Sequence, residues 1–420
     1  MGASRVVHGM VGLIDVAPTL LDLLHLQDPL GRQFQGMSLA SDIVGKGATR
    51  EHPVYSETYY PRDSFGWSEL RAIATDRFKY IQAPHPELYD LPHDRLELHN
   101  LCGERASLAA ALRQQLEGLV QHYDSASGRA AAHEPPLSPE TVEKLRSLGY
   151  IALAAPVQPI SAGPLPDPKD RLKIFKGILR AQDLSTLGRR EQSNRLLQSL
   201  AAEEPNLYVL PFLEADNLAS DHRWHDAEQS YLASLKINPK FERALMGLAH
   251  AYLGDGEPEK ARPLLELVVH EYPRNFLALY ALGRIARREG KHEKAYRYLV
   301  KAVSEKPYVG LLQQELGFTL VDLERYQEAL EPLTRAQKLG VEDPRLEHYL
   351  GTALASVGRF KEAVSHYQKA LEAKPDLAET RLSLAFAYLN LGEQAAAKRE
   401  FRTFCQQSPS RCQQYRKSFE

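Results

Sequence analysis

Five side chains able to ligate a metal fall within ten residues of the stretch PELYDLPHDRLELHNL, residues 86–101: Asp90, His93, Asp94, Glu97 and His99. Carboxylates and imidazoles at that density are what a divalent cation requires. The spacing argues for a different use. Leu88 and Leu91 bracket Tyr89 and Asp90, the alternation of a half-buried strand, and Pro92 then breaks it. His93 and His99 stand six apart across a polar turn, which does not bring two imidazoles to one helix face. Asp94 and Glu97 suit acceptance of turn or helix-start N–H groups. The stretch therefore reads as a strand and a turn. No catalytic or metal-ligating residue is assigned in this chain.

The elements that must hold such residues are bounded by composition. The chain has 420 residues, enough for two or three domains. It is 43% hydrophobic and 25% charged, with a formal net charge of −2, so no general attraction to nucleic acid or an acidic membrane is expected. Of the three cysteines, Cys102, Cys405 and Cys412, none forms a C-x-x-C pair, and whether Cys405 and Cys412 bond is left open by spacing alone. No apolar run approaches the eighteen residues of a membrane span. The opening stretch MGASRVVHGMVGLIDVAPTLLDLLHLQ is interrupted by Asp15 and Pro18 and does not read as a signal peptide. As written the chain is expected in the cytoplasm. A longer parent could be periplasmic, membrane-anchored or secreted.

The back half is periodic. Ala227, Ala261, Ala295, Ala329, Ala363 and Ala397 are spaced by 34 residues. Prolines at 205, 239, 273, 307, 375 and 409 keep the same phase, with Val341 in the one skipped place. Two further columns run Ala215, Ala249, Gly283, Gly317, Gly351, Ala385 and Tyr231, Leu265, Leu299, Leu333, Tyr367, Phe401. Two antiparallel helices per unit explain all four. A small residue sits where backbones approach, a large apolar residue fills the neighbouring groove, and proline ends the second helix. The pattern resembles the tetratricopeptide repeat over residues 174–409, about seven units, with a polar capping tail at 410–420.

That resemblance implies an all-α superhelical solenoid, right-handed, whose concave groove is lined by first helices and receives a protein or peptide partner. One inner column is expected to be Phe212, Met246, Tyr280, Gln314, His348, Leu382, and another Asp216, His250, Arg284, Phe318, Thr352, Phe386. A carboxylate-clamping relative would show Lys and Asn there. The candidate groove residues here are instead Phe212, Met246, Tyr280, Phe318 and Phe386 with Arg284, Arg287 and Arg288, which favours an apolar or mixed peptide.

Residues 1–151 lack the period. A strand is expected near Val6–Ile14, a helix near Ala17–Leu26, strands near Val54–Glu57, Leu70–Thr75, Phe78–Gln82 and Leu88–Leu91, and a helix over about 106–123. This is an α+β fragment with a small antiparallel sheet and helices. Residues 152–173, rich in Pro and Ala, are expected to be a semi-rigid linker that keeps the two parts apart without fixing their angle. Three stretches carry a second resemblance: GLIDVAPTLLDLLHLQDPLGRQFQGMSLASDIVG (12–45), VYSETYYPRDSFGWSELRAIATDRFKYIQAPHPELYDLPHDRLELHNL (54–101) and LSPETVEKLRSLGYI (137–151). In this order they are similar to the carboxy-terminal part of the sulfatase family, within the alkaline-phosphatase-like superfamily.

A complete family member is implied to use a formylglycine made within C/S-x-P-S-R and a calcium held by carboxylates. This chain holds neither, and no cofactor is assigned to it. The near miss QSPSR (407–411) has Gln407 in the nucleophile's place and contains the repeat-phase Pro409. Asp15 suits a helix start, Asp22 and His25 lack a second carboxylate pair, and the His8-Gly9 pair lacks the family's downstream context. The chain alone is therefore expected to be inactive. It is read as a sulfatase-family fragment with an interaction scaffold, as the carboxy-terminal half of an active sulfuric ester hydrolase from a truncated or split gene, or as a fragment of a related metal-dependent phosphatase or phosphodiesterase. If a catalytic part is supplied elsewhere, Tyr59, Arg62 and Trp67 are candidates for the rim of its substrate cleft. Arg62 would contact an anion and Trp67 would stack. The competing role for Trp67 is packing within the subdomain.

Overall fold

Alternation of apolar and polar residues over 54–90 folds into a four-stranded antiparallel meander in a computed structural model that describes residues 9–26, 36–44, 53–130 and 165–419. The strands are β1 (Val54–Thr58), β2 (Leu70–Ala74), β3 (Phe78–Gln82) and β4 (Glu87–Asp90), in sheet order β1-β2-β3-β4. Ile73 pairs with Tyr80 and Tyr80 with Leu88, so one cross-strand row of apolar side chains faces the same way. That row is buried with Ala109, Leu112 and Leu116 of a helix spanning Ala106–Ala130. Each fully buried Leu or Ile there contributes about 2 kcal/mol. The chain divides by contact density into residues 1–214 with 236–239, and residues 215–235 with 240–420.

Ahead of the sheet lie α1 (Val16–Leu23) and a four-residue α2 (Ala40–Ile43); α3 (Tyr60–Phe65) follows β1, and α4 is the long helix just described. The strand expected near Val6–Ile14 is absent among the described residues. Leu13–Asp15 form a 3-10 turn instead, and residues 6–8 lie outside the described residues. The reason is local: the buried Asp15 carboxylate accepts the N–H groups of Gly12 and Met37, both at 2.8 Å, which curls the chain into the helix start. α3 was not expected. It is only six residues long, begins with Tyr60-Pro61, and stops at Gly66 in the left-handed region (φ 71°).

The linker expectation needs correction at its carboxy-terminal end; residues 152–164 lie outside the described residues. Residues 168–171 form a 3-10 turn that runs into α5 (Leu172–Thr186), followed by α6 (Arg190–Glu203). These residues are fastened to the sheet subdomain. The Ser68 N–H donates to the Pro166 carbonyl at 2.8 Å, and the His85 N–H to the buried Asp167 carboxylate at 3.0 Å. Lys169 Nζ donates to the His85 carbonyl at 2.7 Å and pairs with Glu87 at 3.1 Å. The buried Tyr208 hydroxyl donates to the Ser64 carbonyl at 2.7 Å. The first repeat is thus built onto the sheet rather than held away from it.

The remaining helices are α7 (Val209–Ser220), α8 (Trp224–Ile237), α9 (Glu242–Gly254), α10 (Pro258–Glu271), α11 (Phe276–Arg288), α12 (His292–Glu305), α13 (Gly310–Asp322), α14 (Tyr326–Lys338), α15 (Pro344–Ser356), α16 (Phe360–Ala373), α17 (Ala378–Asn390), α18 (Gln394–Gln407) and α19 (Pro409–Tyr415). Second helices begin at 190, 224, 258, 292, 326, 360 and 394, every 34 residues. The alanine column is fully buried at the helix crossings, and Leu265, Leu299 and Leu333 are buried beside it. The tail packs on the last pair: Cys405 and Cys412 are disulfide-bonded, joining α18 to α19, and Phe419 stacks on Phe401 with ring centroids 4.2 Å apart.

Candidate docking site on the helical repeats

The turn after β4 uses its acidic residues structurally. Asp90 bonds His93 at 3.0 Å and pairs with Arg77 at 3.1 Å, contacts that hold its carboxyl below the usual carboxylate range. Asp94 accepts the N–H groups of Leu98 and His99 at 3.0 and 2.8 Å, which also lowers its pKa. Glu97 does not take a turn N–H as expected. Its left-handed backbone (φ 54°) delivers the side chain to Lys79 at 2.8 Å. Asn100 Oδ1 then accepts from the Leu88 and Cys102 N–H groups, closing the outgoing chain on β4.

The three rim candidates are not brought together as an open cluster. Trp67 is 3% exposed and stacked on Phe65 at 4.6 Å, inside an aromatic group with Tyr60 and Phe175. It packs the subdomain and has no face left for a ligand. The Tyr59 hydroxyl accepts from Arg71 at 2.8 Å, and Arg62 pairs with Glu69 at 3.3 Å.

The groove candidates separate into two groups. Phe212 and Phe318 are fully buried, so neither presents a surface to a peptide. Phe318 is covered because Tyr349, from the next first helix, stacks on it at 4.1 Å. Arg287 is likewise consumed by packing. Its guanidinium bonds Asp322 at 2.6 Å, Glu315 at 3.3 Å and the Tyr349 hydroxyl at 2.6 Å, and lies over the Phe318 ring at 5.2 Å. Met246, Tyr280 and Phe386 are half-buried, with Phe386 packed against Phe419 of the tail. Arg284 and Arg288 are exposed.

Around Tyr280 and Arg284 the surface sinks into a cavity of about 480 Å³, within the range of small-ligand pockets. Its walls come from α11, α13, the loop after α14 and the first turn of α15. Gln314, Asp343 and Arg345 line it with them. Gln314 Nε2 donates to Asp343 at 2.6 Å, and Asp343, held below the usual carboxylate range despite partial burial, also caps α15 through the Arg345 N–H. Sequence columns marked Tyr280 and Arg284 but missed Arg345 and the 340–344 wall, because the loop falls between columns. The signal available was the missing proline at Val341.

Comparison with known proteins agrees with this layout. Residues 1–122 match the family model described as N-sulphoglucosamine sulphohydrolase, C-terminal. Residues 218–285 and 268–407 match tetratricopeptide repeat models. The chain thus joins a segment similar to a sulphohydrolase carboxy-terminal region to a stretch that matches tetratricopeptide repeats. No curated protein matches it. Among solved structures it is similar to the APC/C hetero-tetramer Cut9-Hcn1, at 19% identity and TM-score 0.42, over 58% of this chain and 49% of that one. It is also similar to a tetratricopeptide repeat protein from Parabacteroides merdae, at 17% identity and TM-score 0.41, over 56% of this chain and 93% of that one. A third is the carboxy-terminal part of a repeat protein from Cytophaga hutchinsonii, at 15% identity and TM-score 0.44, over 56% of this chain and 96% of that one. The chain thus spans about half the length of the first of these. Among the described residues, no helix is long and apolar enough to cross a membrane.

Proposed function

We propose that the chain is a docking scaffold: its repeats hold a peptide segment of a partner protein on the face of the first helices, and its sulfatase-family segment has no hydrolytic centre of its own. The observation that supports docking most directly is the cavity bounded by Tyr280, Arg284 and Arg345, a recess between first helices and the loop after α14. The test is retention of a degenerate decapeptide library on the immobilised full chain. Retention that falls several-fold in Tyr280→Ala supports the reading, and retention unchanged in that variant contradicts it.

A second reading, the carboxy-terminal half of an active sulfuric ester hydrolase, is favoured by one feature. Residues 11–26 expose Val11, Leu13 (92% exposed), Ile14, Val16, Leu20, Leu24 and Leu26. An apolar face of that kind marks a surface that another protein part covers. Formylglycine and calcium would then belong to that other part. Stable co-purification with a polypeptide bearing C/S-x-P-S-R, lost in Leu13→Asp, supports this reading; no association, or association unchanged by Leu13→Asp, counts against it.

A further inference from the structure

The second helices of the repeats share one ending. In five of them Glu204, Tyr272, Lys306, Lys374 and Ser408 take φ between −128° and −144° and ψ between 70° and 93°, ahead of a proline. α14 departs from them. Val341 stands where the proline would be, and the helix closes instead with the Val341 N–H on the Ala336 carbonyl at 3.2 Å and the Gly340 N–H on Gln337 at 3.0 Å. Gly340 takes the left-handed conformation (φ 80°) that this closure requires. The chain then folds Val341 onto Gly310, where a Cβ would meet Val341 Cγ2 at 2.5 Å. The loop that results forms one wall of the cavity.

The charges in that cavity are unequally committed. Glu315 is held by Arg287 at 3.3 Å, and Asp343 by Arg345 at 2.7 Å and Gln314 at 2.6 Å. Arg284 is 44% exposed and reaches Glu315 only at 3.7 Å, beyond hydrogen-bond length. The Arg284 guanidinium lies over the Tyr280 ring at 5.5 Å and Arg345 lines the same cavity, so two guanidiniums and a phenol share one recess. Gln314 is 3% exposed; its Nε2 is occupied by Asp343, and its Oε1 has no hydrogen bond among the described residues. Leu311, Val341 and Pro344 supply the apolar part of the lining. Glu342 is exposed on the same loop.

We propose that this cavity takes one acidic side chain, Asp or Glu, of an extended partner peptide, with an aliphatic residue beside it. The carboxylate lies on the outward donors of Arg284, next to Arg345 and the Tyr280 hydroxyl. The aliphatic neighbour covers Leu311, Val341 and Pro344, and a peptide N–H meets Gln314 Oε1. Glu342 opposes a second acid close by, so a single acid among neutral or basic residues is preferred. The proposal rests on the docking reading above and adds the chemistry of the partner.

The test uses a positional-scanning library of acetylated, amidated decapeptides against the full chain, read by fluorescence anisotropy. The expected result is enrichment of Asp or Glu next to Leu, Ile or Val. Arg284→Gln weakens the best acidic peptide about tenfold, and Arg284→Glu shifts preference toward Lys or Arg at the same position. Lys301→Gln, an exposed charge on α12, leaves affinity unchanged. Enrichment of a basic residue in the wild-type chain overturns the proposal. Binding of acidic peptides that is indifferent to Arg284 overturns the pocket assignment and leaves docking standing. Absence of binding by every peptide removes both.

Discussion

Gly283 on α11 faces Leu299 on α12 with no space for a methyl group: a Cβ on Gly283 would lie 2.6 Å from Leu299 Cγ. Leu299 is fully buried and has nowhere to withdraw. Gly283→Ala is therefore expected to destabilise the chain by about 1–2 kcal/mol: overpacking costs ~1–3 kcal/mol and the alanine's helix propensity returns up to ~1 kcal/mol. A lower urea midpoint for the variant checks this. An increase would mean that helix propensity outweighs the crossing.

His348 gives the repeats a pH dependence. Burial pushes its imidazole down from 6.5 to about 4, while its Nδ1 sits 3.0 Å from the Thr380 hydroxyl. The folded state therefore binds fewer protons than the unfolded chain between those values. Stability is present above pH 6.5 and is lost as pH falls through about 4, by about 3 kcal/mol in all. Thermal melts of wild type and His348→Gln across pH 7 to 4 should converge, because the variant lacks this titration. Parallel curves would contradict the assignment.

Tyr208 fastens the first repeat to the subdomain through the Ser64 carbonyl. Tyr208→Phe leaves that carbonyl without this donor and should cost about 1–2 kcal/mol. Hydrogen exchange should quicken at α3 and α5 in the variant. Unchanged exchange there would mean that the bond does not hold the two parts.

The Cys405–Cys412 bond closes a loop with a sequence separation of 7. Cys405→Ser should lower stability by about 2–3 kcal/mol on the chain-entropy estimate. The loss should concentrate at α19 and Phe419, read by proteolysis of the carboxy terminus. Chain purified without reductant should show a single free thiol, Cys102.

The repeats were legible because the 34-residue period puts small and large residues in fixed columns, and helix crossings depend on those sizes alone. The sheet was legible from alternation around Asp76-Arg77, where Thr75 and Phe78 close the hairpin. What escaped depends on distant residues. Phe318 has a groove-face position, yet Tyr349 covers it. For Trp67 the sequence offered both a rim role and packing, and the aromatic group with Phe65 and Phe175, over a hundred residues away, decides for packing. Arg287 and Arg284 share a helix and a residue type, and only the positions of Asp322 and Glu315 tell the structural arginine from the available one.

A chain that docks partners and has no hydrolytic centre of its own leaves a sulfate ester intact. The direct measurement is turnover of 4-nitrophenyl sulfate by purified full chain, with and without added calcium. The expected result is no release of nitrophenol above the buffer rate at any protein concentration. Release that scales with protein concentration and persists through successive purification steps would contradict it.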